Sequence, residues 1–352
     1  MRVDMESETE VPPLVSERLL MENLEDVRGQ AALVISTGRA QLAGQLAQRG
    51  QFPSVQAWYY DLYPAMLAND ALDDAVEVLC GADLPEARYD LVAMGLLRRS
   101  ESELTRELIQ QAYLRLVEGG MLAVSVDNPR DTWLHDLMRK LFPKVTCLRL
   151  PEGSVYLGRK RGELKKEKDY SCEYAFRDDA GRLLKVLSRP GVFSHRRLDG
   201  GARQLMLSVE IGPEDRVLDM GCGAGALTAA CAVQTSGLVF GVDSNARAIE
   251  CLKATAKLNQ LENIRAVWNA DGQLDLPCEI DVAVANPPYF GDTAIAQHFI
   301  DTCFENLRVG GALLVVTKQP NWVGAYMNHL MEDLAVFEAS KYWVVCGRKP
   351  AV

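Results

Sequence analysis

The sequence predicts an α/β protein built of two tandem, doubly wound domains, the first a degenerate copy of the second. Three observations carry this. Short apolar runs alternate with helical patterns along most of the chain, as in a parallel sheet covered on both faces. Blocks of the first half recur in the second half in the same order. The length, 352 residues, suits two ordinary domains.

In chain order, residues 1–17 read as an acidic tail with Pro12-Pro13. A first domain follows over 18–158. Ala31-Ala32-Leu33-Val34-Ile35, Tyr89-Asp90-Leu91-Val92-Ala93-Met94 and Met121-Leu122-Ala123-Val124-Ser125-Val126 are its buried strands, with a helix over 103–117. Residues 159–189 form a basic linker and a hairpin. Its strands are Ser171 to Phe176 and Arg182 to Leu187, turned by Asp178-Asp179-Ala180-Gly181. The second domain, 190–352, repeats the first plan. Its strands are Arg216-Val217-Leu218-Asp219, Leu238 to Asp243, Asp281 to Asn286 and Ala312 to Thr317, with a helix over 294–306.

The duplication rests on particular matches. Leu116-Val117-Glu118-Gly119-Gly120-Met121-Leu122 matches Leu307-Arg308-Val309-Gly310-Gly311-Ala312-Leu313. Tyr89 to Gly95 matches Ile280 to Asn286 in the same register, and Trp58-Tyr59-Tyr60-Asp61 is aligned with Phe240-Gly241-Val242-Asp243. The copies differ where a ligand would sit. Asp219-Met220-Gly221-Cys222-Gly223-Ala224-Gly225 faces Ser36-Thr37-Gly38-Arg39-Ala40-Gln41 in the first copy, with one glycine and no acid at the strand end. Asn286-Pro287-Pro288-Tyr289 faces Gly95-Leu96-Leu97-Arg98. The first copy is therefore expected to keep the fold without the site.

Composition narrows the function classes. The net charge is −10, against indiscriminate nucleic-acid binding, although residues 159–168 form a local basic run. Nine scattered cysteines with no Cys-x-x-Cys, and only four histidines, give no zinc spacing, so no metal is expected. No apolar run is long enough to span a bilayer, and the acidic opening Met1-Arg2-Val3-Asp4-Met5-Glu6 has neither a secretory nor a transit pattern. The expected compartment is cytoplasmic.

Chemistry concentrates in the second copy. A strand runs into the turn Gly221-Cys222-Gly223-Ala224-Gly225, whose glycines let backbone approach a ligand. Asp219, just before the turn, can face the ammonium of an amino acid. Asp243, ending the next strand, can accept both hydroxyls of a ribose. Asp271, in Asn269-Ala270-Asp271-Gly272 after the third strand, can accept from an adenine amine. Together they fit S-adenosylmethionine. Asn286-Pro287-Pro288-Tyr289 follows the fourth strand, at the same carboxyl-end mouth. A conjugated NH2 is a poor nucleophile until its nitrogen becomes tetrahedral, so both N–H groups need placed acceptors. The Asn286 side-chain oxygen supplies one and the Pro287 carbonyl the other, its direction set by the fixed φ of the prolines. Tyr289 supplies a ring on which a flat group stacks.

This tetrad resembles the amino methyltransferases with an (Asn/Asp/Ser)-Pro-Pro-(Tyr/Phe) motif, which act on adenine N6, cytosine N4, guanine N2 or the glutamine amide. Pro190-Gly191-Val192-Phe193-Ser194 followed by Leu198-Asp199-Gly200-Gly201-Ala202 narrows the likeness. It is similar to the bacterial ribosomal RNA guanine-N2 methyltransferases. These are two-domain, class I, Rossmann-like enzymes whose N-terminal methyltransferase-like domain lacks cofactor. The resemblance covers most of the chain. It implies cofactor contacts at Asp219, Gly221, Gly223, Asp243 and Asp271, with Phe193 and Asp199 beside the cofactor. It implies catalytic contacts to substrate at Asn286, Pro287 and Tyr289, and ribosomal RNA or a ribosomal subunit as partner. His195, Arg196 and Arg197 fall at the mouth, and the arginines are candidates for phosphate contact, as is Lys318. The stretch Lys318-Gln319-Pro320-Asn321-Trp322 departs from the family pattern. Two other functions fit parts of these observations: N5-methylation of a glutamine side chain in a translation factor or ribosomal protein, and a non-catalytic RNA-binding or assembly scaffold.

Overall fold

The computed structural model describes residues 11–288 and 293–351. The chain folds as two compact units. One comprises the chain up to Tyr59 together with Pro64–Lys168, the other Tyr60–Tyr63 together with Asp169 onward.

In the first unit, helix α1 (Val15–Asn23) precedes β1 (Ala31–Ile35), α2 (Gln41–Gln48), β2 (Ser54–Tyr59), α3 (Leu62–Ala71) and β3 (Glu77–Cys80). Then come β4 (Tyr89–Leu96), α4 (Ser102–Arg115), β5 (Leu116–Val126), α5 (Trp133–Leu141), β6 (Val145–Leu150) and β7 (Gly153–Arg159). The second unit opens with the hairpin β8 (Cys172–Arg177) and β9 (Leu183–Ser188). It continues with α6 (Gly200–Ser208), β10 (Val217–Met220), α7 (Ala226–Ala232), β11 (Val239–Asp243), α8 (Ala246–Leu258) and β12 (Ile264–Trp268). It ends with β13 (Ile280–Ala285), α9 (Thr293–Asn306), β14 (Leu307–Thr317), α10 (Pro320–Met327), β15 (Glu332–Ala339) and β16 (Tyr342–Arg348).

Both units carry a seven-stranded sheet of one topology: β3-β2-β1-β4-β5-β7-β6 in the first and β12-β11-β10-β13-β14-β16-β15 in the second. Five strands of each are parallel and the last two join antiparallel. The sequence named β1, β4 and β5 of the first sheet and β10, β11, β13 and β14 of the second, and missed the antiparallel pair of each. Residues alternate between faces as a pleat requires. Val217 joins one apolar cluster with α6, α7 and α8. Leu218 and Met220 join the opposite cluster with α9 and α10. Burial on both faces explains why these strands read as continuous apolar runs.

The repeated Glu/Val-Gly-Gly block has a backbone cause. Gly119 and Gly310 hold the same place in β5 and β14, both in the left-handed region at φ 80° and 73°. The parallel pairing shifts register beside each.

Pairing corrects four boundaries or alignments. Ile35 pairs with Trp58 and Met94, as Met220 pairs with Val242 and Ala285. Tyr59, not Asp61, therefore stands at the place of Asp243, two residues from the sequence alignment. The expected acidic tail ends before Val15, because Ser16 and Glu17 lie buried in α1. The helix expected over 103–117 stops at Arg115, where the long strand β5 begins. Arg159 ends β7 rather than opening a linker. Lys160 is 3% exposed, and its Nζ donates to the Leu116 carbonyl at 3.1 Å. Beyond Arg159, itself exposed at the end of β7, the exposed basic residues of the run are Arg161, Lys165, Lys166 and Lys168.

Candidate active site

Strand β10 delivers Asp219, 2% exposed, to the carboxyl edge of the second sheet. The turn beyond it needs three left-handed residues, Gly221, Gly223 and Gly225 at φ 78°, 53° and 84°. Glycine is required at Gly225 for space as well, since a Cβ there would lie 2.4 Å from Leu252 Cδ1. The turn is tied to the neighbouring strand. Gly221 and Cys222 N–H donate to the Val242 carbonyl at 2.8 and 2.9 Å. Asp243 Oδ2 accepts from Gly223 N–H, and its Oδ1 from Asn245 N–H, each at 2.9 Å.

The two acids are electrostatically unusual. Burial pushes the Asp219 carboxyl up to about 7, opposed by the 2.6 Å hydrogen bond that Thr228 Oγ1 donates and reinforced by the charge of Asp243. Desolvation likewise raises Asp243 to about 6, against the backbone N–H groups of Asn245 and Gly223. Among the described residues, no cationic side chain is paired with either. Enclosed carboxylates without cationic partners are poorly satisfied unless a ligand brings donors to them. An amino acid ammonium at Asp219 and ribose hydroxyls at Asp243 meet that requirement. The residues fit S-adenosylmethionine.

Other predicted residues gather around the same turn. The Phe193 carbonyl lies 3.9 Å from the position of a Cβ on Gly223, and the Phe193 side chain is 62% exposed. Its segment is held from α8. Asn245 Nδ2 donates to the Gly191 carbonyl at 2.7 Å, and the buried Arg247 Nη1 to the Pro190 carbonyl at 2.9 Å. Ser194 and Arg196 both adopt positive φ, 55° and 74°, an uncommon conformation for residues with a Cβ. Asp271 lies in an exposed turn beyond β12. Hydrogen bonds from Gln273 N–H and Asn269 Nδ2 hold its carboxyl below the usual range.

Asn286 follows directly on β13, and Pro287 after it is buried. The Asn286 Nδ2 donates to Asp199 Oδ2 at 2.9 Å. The same carboxylate oxygen N-caps α6 by accepting from Ala202 N–H at 3.0 Å. Tyr289 lies outside the described residues. Arg196, Arg197 and Lys318 are exposed. Lys318 Nζ stands 5.3 Å from the centroid of the Tyr342 ring, and both Asp199 and Arg197 act electrostatically on that phenol. Lys318, Arg197, Asp199 and Tyr342 therefore share one rim.

Sequence reasoning missed four residues here. Thr228 anchors Asp219. Phe299, on α9, lies where a Cβ on Gly221 would come within 2.5 Å of its ring. Trp268, 42% exposed, pairs in register with Asp243, and its Nε1 donates to the Ser244 carbonyl at 2.8 Å. Tyr342 comes from the antiparallel strand. Only Trp268 had a usable signal, as an aromatic at the end of the third parallel strand. Among the described residues, no three His, Cys, Asp or Glu side chains group as a metal site, and no helix is long and apolar enough to cross a membrane.

Comparison with known proteins agrees with this construction. The family model for the methyltransferase small domain matches residues 183–346. The ribosomal RNA small subunit methyltransferase C of Hahella chejuensis is 29% identical over 188 residues, 51% of this chain and 54% of that protein. Its counterpart in Pseudomonas aeruginosa is 37% identical over 139 residues, 38% of this chain and 41% of that protein. The alignable part thus spans about half the length of these curated relatives or less. The solved T. thermophilus 16S rRNA N2 G1207 methyltransferase, in complex with AdoMet and guanosine, superposes with a TM-score of 0.80 at 20% identity. It covers 95% of this chain and 91% of its own. Residues 183–346 thus carry a methyltransferase small domain, with a glycine turn between enclosed acids and Asn286-Pro287-Pro288 after the fourth parallel strand, and the chain as a whole shares the two-unit fold of the T. thermophilus structure.

Proposed function

We propose that the chain methylates the exocyclic N2 of a guanine in ribosomal RNA, using S-adenosylmethionine. The observation that carries this is the Asn286 amide. It stands beside the glycine turn, and its NH2 end is committed to Asp199. The carbonyl end consequently faces away from that carboxylate, where it can accept from an amine. The names of the curated relatives and the AdoMet and guanosine of the T. thermophilus neighbour support the substrate class.

When bound, S-adenosylmethionine supplies an electrophilic methyl group. The chain's residues do the rest. Ionised Asp219 and Asp243 take the ammonium and the ribose hydroxyls, and Trp268 offers a flat wall at the ribose end. Asn286 Oδ1 and the Pro287 carbonyl accept the two N–H groups of the target amine. They strengthen as that nitrogen turns tetrahedral and gains positive charge, so they act mainly on the transition state. The proton leaves after attack, and no general base is required. Tyr289 stacks on the base, which reaches the site only unpaired or flipped. Arg196, Arg197 and Lys318 contact phosphates and set the strand's position.

The test is transfer of labelled methyl to ribosomal subunits, and to naked ribosomal RNA, from cells lacking this protein. Digestion of the product should yield labelled N2-methylguanosine. Label recovered in amino acids, or in another nucleoside, overturns the assignment.

A further inference from the structure

We infer that Asp199 is a positioning residue for the methyl transfer, which sets the orientation of the Asn286 amide and does not bind the cofactor. This rests on the amine-methylation reading of the site.

An ionised carboxylate only accepts hydrogen bonds, whereas an asparagine amide donates from one end and accepts at the other. The two ends of the Asn286 side chain have nearly the same shape, so packing alone selects weakly between the flipped states. Asp199 Oδ2, 2.9 Å from Asn286 Nδ2, selects one. The NH2 must face Asp199, and Oδ1 must face the other way. In the opposite state two oxygens would meet at that distance, and an NH2 would be presented to a target amine that also only donates. The charged acceptor makes the choice stronger than a neutral partner would.

Asp199 is itself held rigidly. Its Oδ2 accepts the Ala202 N–H at 3.0 Å as the N-cap of α6. Its charge also adds to the effect of burial in raising the Tyr342 phenol. One oxygen thus joins the start of α6 to the end of β13.

The first unit provides an internal control. Helix α1 precedes β1 at the same spacing as α6 precedes β10, and β1 and β10 hold the same place in their sheets. The N-cap of α1 is Leu14, with no side-chain cap bond. By the pairing registers, Gly95 stands at the place of Asn286. The copy that lacks the Asn286 amide also lacks the carboxylate that would orient it. A residue needed only to cap a helix would have no reason to disappear together with the amide.

Three single variants and one double variant separate the roles. Asp199→Ser keeps a helix-capping hydroxyl but is too short to hold Asn286. Asp199→Asn keeps a carbonyl oxygen that can serve both donors. Asn286→Ala reports on the site itself. Asp199→Ser should lower kcat by roughly tenfold to a hundredfold, the scale of a misplaced reacting group. Its thermal midpoint and cofactor Kd should match those of the unaltered protein, and Asp199→Asn should recover most of the loss. Asp199→Ser combined with Asn286→Ala should be no slower than Asn286→Ala alone, the signature of two residues acting as one unit. The inference is overturned if Asp199→Ser keeps full kcat, if it weakens cofactor binding in proportion to its loss of activity, or if the two losses multiply. If Asn286→Ala itself retains full turnover, the amine-methylation reading falls first and the inference falls with it.

Discussion

Replacing Asp219 with asparagine should stabilise the ligand-free second unit at pH 8 while abolishing cofactor binding. Asn keeps one oxygen to accept from Thr228 Oγ1, which reaches Asp219 at 2.6 Å, and replaces the other, with the charge, by an NH2. Burial raises the Asp219 carboxyl from 3.8 to about 7. A carboxyl whose folded pKa lies above its unfolded value contributes stability that is full below pH 4 and lost as pH rises through 7. At pH 8 the folded protein must hold the group charged. At about 1.4 kcal/mol per pH unit this penalty is at most about 4 kcal/mol, less whatever local relaxation and entering water recover. Thermal melts of the ligand-free protein should show no advantage for Asp219→Asn at pH 4. The advantage should grow through pH 6 to a plateau near pH 8, with roughly 2–4 °C for each kcal/mol. Added S-adenosylmethionine should raise the melting point of the unaltered protein and leave that of the variant unmoved. If the variant melts no higher than the original at pH 8, Asp219 is not an uncompensated enclosed charge, and the case for it as an ammonium receptor fails.

The same raised acids make cofactor affinity depend on pH. By titration calorimetry, Kd should be flat above pH 8 and weaken by about tenfold per pH unit below 7, more steeply below 6 as Asp243 also protonates. An affinity level from pH 5 to 8 would contradict the assigned contacts. Asp243→Ala should weaken cofactor binding by about tenfold or more, the worth of a charge-assisted hydrogen bond. An unchanged Kd would remove Asp243 from the site. Replacing Arg161, Lys165, Lys166 and Lys168 with glutamine, and sparing the buried Lys160, should reduce the slope of log affinity for RNA against log salt. The reduction is about 0.7 for each lost contact to a single strand. An unaltered slope would leave the run as a solvated connection.

How much of this was legible depended on what each feature needs from distant parts of the chain. The parallel core strands were visible because burial on both faces writes unbroken apolar runs such as Asp281-Val282-Ala283-Val284-Ala285. The glycine turn and Asn286-Pro287-Pro288 were visible because their chemistry is local to a few consecutive residues. The antiparallel pair at each sheet edge was not. Six of the eight residues of β15 are exposed, so the edge strand carries no apolar signature. Asp61 was aligned with Asp243 because both are acids that follow an apolar run, and only strand pairing puts Tyr59 at that place. Phe299 and Tyr342 reach the site from α9 and β16 through tertiary packing, which sequence spacing does not encode. Asp199 was noticed, but its hydrogen bond with Asn286 was not, because that partner lies 87 residues away.

The first unit carries the same strand-and-turn frame with different side chains at the matching places. Asp243 ties its strand to the glycine turn by accepting from Gly223 N–H. Tyr59, at the matching place, ties its strand to the corresponding turn with the polarity reversed, its hydroxyl donating to the Gly38 carbonyl at 2.9 Å. The tie survives as a neutral phenol, 1% exposed. Val34 stands where Asp219 would, so no acid ends that strand. The space over the turn is taken by α1. Leu14 Cδ1 and Glu17 Oε2 lie 3.4 and 3.7 Å from the position of a Cβ on Gly38. Glu17 Oε1 accepts from Leu42 N–H at 3.0 Å at the start of α2, while burial raises that carboxyl above its ordinary range. Each substitution keeps a structural connection and discards a ligand contact. An enclosed carboxylate lowers stability unless donors satisfy it: in the second unit Asp219 and Asp243 leave that to a ligand, whereas in the first unit the tie is an uncharged phenol and the carboxylate over the turn, Glu17, has its donor within the unit, the Leu42 N–H.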